Sequence, residues 1–193
     1  MSNKIQNSNS QKNNLHNLKG EQKDQLLIVT DKKGNRLGTA TRVECHKGFG
    51  KPHLAFAAFL INEKNEIILT KRSRKKSLWA NCWDASVVSH VLPGEIVETA
   101  VNRRGKEELG IDVKFKDLGA FYYLAKHDKS SENEFCHVLI GKTDQRIVPN
   151  PVEIADIKKV TFHKLQKELD NNPEKFTPWF KLSMEKFDLS KYI

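Results

Sequence analysis

The run from Ser86 to Ile111, SVVSHVLPGEIVETAVNRRGKEELGI, constrains the fold more than any other part of the chain. Pro93-Gly94-Glu95 reads as a tight turn that separates a segment ending at His90 from a helix. In that helix Val97 and Val101, with Gly105 one turn further on, form a line at i, i+4 and i+8. Ala100, Arg104 and Glu108 form the neighbouring line. Gly110 stands just past the expected helix end, where a positive φ is common. The apolar line has to be covered by a partner layer. The charged edge has two readings. Carboxylates on a helix that begins at a sharp turn can hold a divalent cation against a phosphate, and they can equally be a solvated face.

The partner layer is predicted from the strands around it. His53 to Asn62 (HLAFAAFLIN) is a strongly apolar strand, Glu63-Lys64-Asn65 turns it, and Glu66 to Arg72 returns antiparallel. Gln25 to Thr30 reads as a strand, and Arg36 to Glu44, with Arg42 inside it, as another extended piece. Val113 to Leu124 alternates as one or two strands, Glu134 to Gly141 is a core strand, and Val160 to His163 a short one. Two helical segments close the chain, one around Leu165 to Leu169 that stops near Pro173, the other from Pro178 to Phe187. Residues 1 to 24 are rich in Asn, Gln, Ser and Lys and predict a disordered tail ahead of one domain over 25–193.

A net charge of +9 over 193 residues suits an anionic ligand, and a solvated basic surface explains it as well. The three cysteines, Cys45, Cys82 and Cys136, include no CxxC pair and predict free thiols in a reducing cytoplasm. No apolar run is long enough to span a membrane. The oligomeric state is not legible.

Taken singly, each histidine is as readily a core residue as a ligand. Together they make a donor set. His46 and His53 flank the start of the apolar strand, and His90 opens the central run. Glu132 and Glu134, two apart on an extended segment, point to one face. Three imidazoles and two carboxylates suit a six-coordinate Mn²⁺ or Mg²⁺ with one open place, with Zn²⁺ as the alternative ion.

The central run resembles the Nudix box, REUxEExGU preceded by a Gly and a Glu. Glu95, Arg103, the Glu107-Glu108 pair, Gly110 and Ile111 hold their places, while Ser89, Arg104 and Gly105 depart. Arg104 replaces a glutamate with which Nudix hydrolases hold a metal. With an arginine there, the box is similar to the version found in type I isopentenyl-diphosphate isomerases. The other motifs follow that family in order: His46 with His53 of HLAF, His90 of SVVSH, the Glu132-Asn133-Glu134 segment, and Trp179 of FTPW. The resemblance covers about residues 25 to 187. It implies the Nudix fold, an α+β arrangement in which an α/β/α sandwich encloses a mixed central sheet.

It also implies roles. His46, His53, His90, Glu132 and Glu134 would be metal ligands, and Glu108 would help to hold a second ion, Mg²⁺, on the diphosphate. Arg42, Arg72, Lys76 and Arg104 would clamp that diphosphate. The Trp179 ring would face a carbocation-like intermediate. One tyrosine of the Tyr122-Tyr123 pair, Tyr122 or Tyr123, would join Glu134 in the reaction. The partner is a small prenyl diphosphate, with no nucleic acid expected.

One place breaks the pattern. Isomerisation adds a proton at one carbon and removes one from another, and the family uses a cysteine for half of this exchange. Val88 stands at the cysteine's place. The sequence therefore predicts an isomerase-like enzyme of reduced activity. A Nudix pyrophosphohydrolase and a silent prenyl-diphosphate binder are the competing readings. Isomer exchange and phosphate release separate the three.

Overall fold

The computed structural model describes residues 21–193. The expected tail lies for residues 1–20 outside the described part. Residues 21–24 run against the body, where the Lys23 carbonyl accepts from the Val43 amide (3.2 Å).

Among the described residues nine strands form one sheet: β1 (Leu26–Thr30), β2 (Arg36–Thr41), β3 (His53–Ile61), β4 (Glu66–Arg72), β5 (Trp83–Asp84), β6 (Val87–His90), β7 (Phe115–His127), β8 (Ser130–Lys142) and β9 (Ile154–Thr161). β3 is its axis. Along one edge it pairs antiparallel with β1, then β6, then β4; along the other it runs parallel to β8 for its whole length. The sheet is therefore mixed, as expected, and the class is α+β. All nine β3 residues are buried, which requires both faces to be covered.

Side chains alternate across the sheet, so β3 feeds two cores. Leu54, Phe56, Ala58 and Leu60 pack with Val97, Ala100 and Val101 of helix α2 (Val97–Leu109). Ala55, Ala57, Phe59 and Ile61 pack with Trp179 and Phe180 of helix α4 (Pro178–Lys186). Helix α2 ends as expected at Gly110, which takes the left-handed conformation at φ 68°.

Several boundaries differ from the sequence reading: β7 runs from Phe115 to His127 rather than from Val113 to Leu124, and β8 begins at Ser130 rather than at Glu134. Arg42 is not in an extended piece: the strand stops at Thr41 and helix α1 (Arg42–His46) begins. A capping box causes this. The Thr41 hydroxyl accepts from the Glu44 amide (3.3 Å), and the Glu44 carboxylate accepts from the Thr41 amide (2.9 Å). His163 likewise belongs to helix α3 (Phe162–Asn171), which Thr161 caps, so the short strand ends before it and begins earlier, at Ile154. The residues between Val87 and His90, given no element above, form β6 against β3.

Candidate active site and metal centre

Four elements bring the donor set together. His46 ends α1, His53 begins β3, His90 ends β6, and Glu132 and Glu134 lie on one face of β8. The parallel register sets His53 directly opposite Glu134, and Ala55 lies between His90 and Cys136. The three imidazole centroids are 4.8–5.2 Å apart. One ligand atom from each of His46, His53, His90 and Glu132 falls within 4.8 Å of all the others. Glu134 flanks them, its Oε1 3.2 Å from His90 Nε2 and 3.5 Å from His53 Nε2.

The nitrogens are already oriented. His46 Nδ1 lies 2.7 Å from the Arg42 carbonyl and His53 Nδ1 2.8 Å from the Lys51 carbonyl, which leaves each Nε2 free to point at the cluster. Both Nε2 atoms, with His90 Nδ1 and Glu132 Oε2, are buried and make no aligned hydrogen bond, although His46 Nε2 comes within 2.9 Å of Glu132 Oε2. Orphaned buried polar atoms are costly unless something binds them. This donor set fits a divalent metal ion.

Electrostatics divides the two carboxylates. Burial opposes charge on Glu132, but the charge and hydrogen bond of the adjacent His46 ring outweigh it and hold this carboxyl at about 2. Burial and the neighbouring Glu132 charge push Glu134 well above the usual carboxylate range. Burial holds His53 down at about 4, so its ring is neutral and able to act as a ligand.

Of the two tyrosines, Tyr123 carries its hydroxyl to Glu134 and donates to Oε2. Tyr122, one residue earlier on β7, faces the other way, under the Lys32 ammonium. Val88 shares the face of His90, opposite Ala57 on β3, and is half-buried.

The cluster opens into a cleft of about 510 Å³. Arg42, Arg72, Lys76, Arg104, Val88, Glu132, Glu134 and Trp179 all line it. Neither Cys82 nor Cys136 is among the residues that line it.

Glu108 stands apart from the histidines. Arg104 Nε donates to its Oε1 (2.8 Å), and Arg104 Nη1 reaches Glu107 (2.7 Å). Burial works against the Arg104 charge, but Glu108, Glu153 and Glu107 more than offset it and keep the guanidinium protonated.

Sequence reasoning missed three acidic groups here. Glu153 lies between Lys76 (2.5 Å) and Arg104 (3.3 Å), and no pattern in its loop marks it. Glu21, assigned above to the tail, accepts from the Ser77 hydroxyl (2.6 Å) and sits 3.5 Å from Lys76. Asp84 is buried beside Trp179 and Arg72. Only its place just before the Ser86–His90 segment could have flagged it.

A family model, the NUDIX domain, matches residues 51–180. The fold agrees: a solved protein of Deinococcus radiodurans superposes with a TM-score of 0.63 at 23% identity, covering 77% of this chain and 90% of that one. A MutT protein from Methanosarcina mazei gives 0.59 at 22%, covering 72% and 95%. The fold and the box helix thus define a Nudix-domain protein. Among curated relatives, isopentenyl-diphosphate Delta-isomerase 1 of Photorhabdus laumondii is 37% identical over 158 residues, 80% of this chain and 90% of its own length. The isopentenyl-diphosphate Delta-isomerase of Halorhodospira halophila is 33% identical over 159 residues, 80% of this chain and 90% of its own length. This chain belongs to the isopentenyl-diphosphate Delta-isomerase family of Nudix proteins.

Proposed function

We propose that this protein interconverts isopentenyl and dimethylallyl diphosphate, at a rate lowered by Val88. The observation that carries this is one cleft lined by the metal-donor cluster, four cations, Val88 and the Trp179 ring. His46, His53, His90, Glu132 and Glu134 would hold Mn²⁺ or Mg²⁺, with Zn²⁺ the alternative, and Glu108 would help to hold Mg²⁺ on the diphosphate. When bound, these ions supply fixed positive charge beside the carboxylates. Arg42, Arg72, Lys76 and Arg104 clamp the diphosphate. Glu134, bonded to the Tyr123 hydroxyl, takes up or releases the proton on its side of the allylic unit. Trp179 presents its ring to the positive charge that develops. Arg104 stands where a hydrolytic box carries a metal-holding glutamate, and a cation at that place favours isomerisation over hydrolysis. We read residues 25–193 as a single domain. The three free thiols fit a reducing cytoplasm, where we place the protein.

The direct test supplies each five-carbon diphosphate to purified protein and follows isomer exchange by NMR alongside phosphate release. Exchange without release is expected. Release without exchange would make the protein a hydrolase.

The metal is tested separately. Ion at a hundredfold excess over Kd adds about 2.7 kcal/mol to stability. For a chain of this size that raises Tm by about 5–10 °C. His53→Ala and Glu132→Ala should each remove most of that rise. If Mn²⁺, Mg²⁺ and Zn²⁺ all leave the wild-type Tm unchanged, the cluster is not a metal site.

For the clamp, Arg104→Gln should weaken prenyl-diphosphate binding at least tenfold, because it removes a charge-assisted partner. It should also cost about 3–5 kcal/mol of stability by leaving Glu108 buried without its cation. Calorimetry well below the lowered Tm reads the binding loss, and unchanged affinity counts against a diphosphate role.

A further inference from the structure

Asp84, on β5, is fully buried, and nothing in the proposed chemistry yet uses it. Its Oδ1 accepts three hydrogen bonds: from the Ala85 amide (2.9 Å), the Thr177 hydroxyl (3.0 Å) and the Trp179 indole N–H (2.8 Å). Its Oδ2 accepts from Arg72 Nη1 (3.2 Å). The remaining guanidinium bonds run to the Leu78 carbonyl, from Nε at 3.2 Å and Nη2 at 2.9 Å. Arg72 is thereby fixed with its Cζ 5.1 Å from the centre of the Trp179 ring. One carboxylate thus ties together the end of β4, β5 and the start of α4. Trp179 and Arg72 line the cleft, whereas Asp84 does not.

We infer that Asp84 is a positioning residue that orients the Trp179 indole and cancels the Arg72 charge beside it, so that this wall of the cleft accepts a cation. The inference rests on the isomerase reading, in which positive charge develops next to Trp179. A ring with a guanidinium 5.1 Å away is a poor partner for a second cation, because the two positive charges repel. The Asp84 carboxylate removes most of that penalty. It also accepts the indole N–H, which fixes the ring plane and shifts electron density toward the face. Stability alone gives little reason for the arrangement, since a buried ion pair is often no better than apolar packing. The sign of the effect is specific. Asp84→Asn raises the local charge by one unit, so it disfavours a cation in the cleft while leaving an anionic diphosphate bound as well or better. Simple loss of structure would weaken both.

The experiment uses two probes of matched shape, 3-methylbutyl diphosphate and 2-(dimethylammonio)ethyl diphosphate. Each is titrated by calorimetry into full-length protein with Mn²⁺ and Mg²⁺. Wild type should prefer the cationic tail. Asp84→Asn should reduce that preference at least tenfold and hold the affinity for the neutral probe within about threefold of wild type or better. An unchanged preference overturns the inference, and so does a parallel loss of both affinities.

A second readout does not depend on turnover or ligand. In ¹H–¹⁵N spectra, the indole resonance that disappears in Trp179→Phe should lie downfield in wild type and move upfield in Asp84→Asn. An unmoved resonance overturns the positioning role whatever the activity. Failure of wild type to bind either probe, with the resonance behaving as expected, instead counts against the isomerase reading. Should Asp84→Asn not fold, Thr177→Val carries the spectroscopic test. It removes one competing donor from Oδ1 and should shift the same resonance further downfield. No shift overturns the inference.

Discussion

Val88→Cys should raise isomerase turnover at least tenfold over wild type, within the ~10²–10⁴-fold range that one acid–base group supplies. Val88 lies on the face of His90, lines the cleft and is half-buried opposite Ala57, so a thiol there would meet the substrate without a change of backbone. Valine and cysteine are close in volume, and the exchange should cost little stability. Isomer exchange followed by NMR, wild type beside variant, reads the gain. No gain in protein that binds both metal and substrate would mean that the cleft serves binding or hydrolysis. Wild-type turnover at a typical enzyme rate of about 10 s⁻¹ would show that another group already supplies the proton. Cys82 and Cys136 are poor candidates, because neither lines the cleft.

Glu134→Gln is expected to lower turnover by ~10²–10⁴-fold, both in wild type and in the Val88→Cys background. An amide has nearly the shape of a carboxyl and can still accept from the Tyr123 hydroxyl, but it cannot exchange a proton at ordinary pH. Glu134 also flanks His53 and His90, so the variant has to be checked for metal. If the metal-induced rise in Tm survives while turnover falls, the loss belongs to proton transfer. If both vanish together, Glu134 acts chiefly as a ligand. Retention of full activity would remove it from the reaction.

The elements with a strong local signal were legible. The continuous apolar run of β3 and its return in β4 were read with their turn, because pattern and turn chemistry agree over those residues. The end of α2 was read from Gly110, which has a backbone reason to be glycine. Arg42 was misplaced because a run of strand-like residues outweighed the four-residue capping box at Thr41. That box matters for the site: a helix sets Arg42 and His46 one turn apart, so that Arg42 lines the cleft and His46 joins the donor cluster, whereas an extended chain would have spread them along the sheet edge.

The amino-acid sequence by itself determined the family, the donor types at His46, His53, His90, Glu132 and Glu134, the four cations and the break at Val88. Each is a matter of residue identity at a spacing, and spacing survives unfolding. Only the tertiary structure decided which tyrosine reaches Glu134, that neither Cys82 nor Cys136 lines the cleft, and that Glu21, Asp84 and Glu153 partner the cations. Those facts depend on residues far apart in the chain, Asp84 and Trp179 among them, meeting through the register of β3 with β6 and β8 and of β4 with β5. A one-residue slip in any of these pairings would turn its side chains to the other face, and no local pattern records which pairing the whole sheet selects.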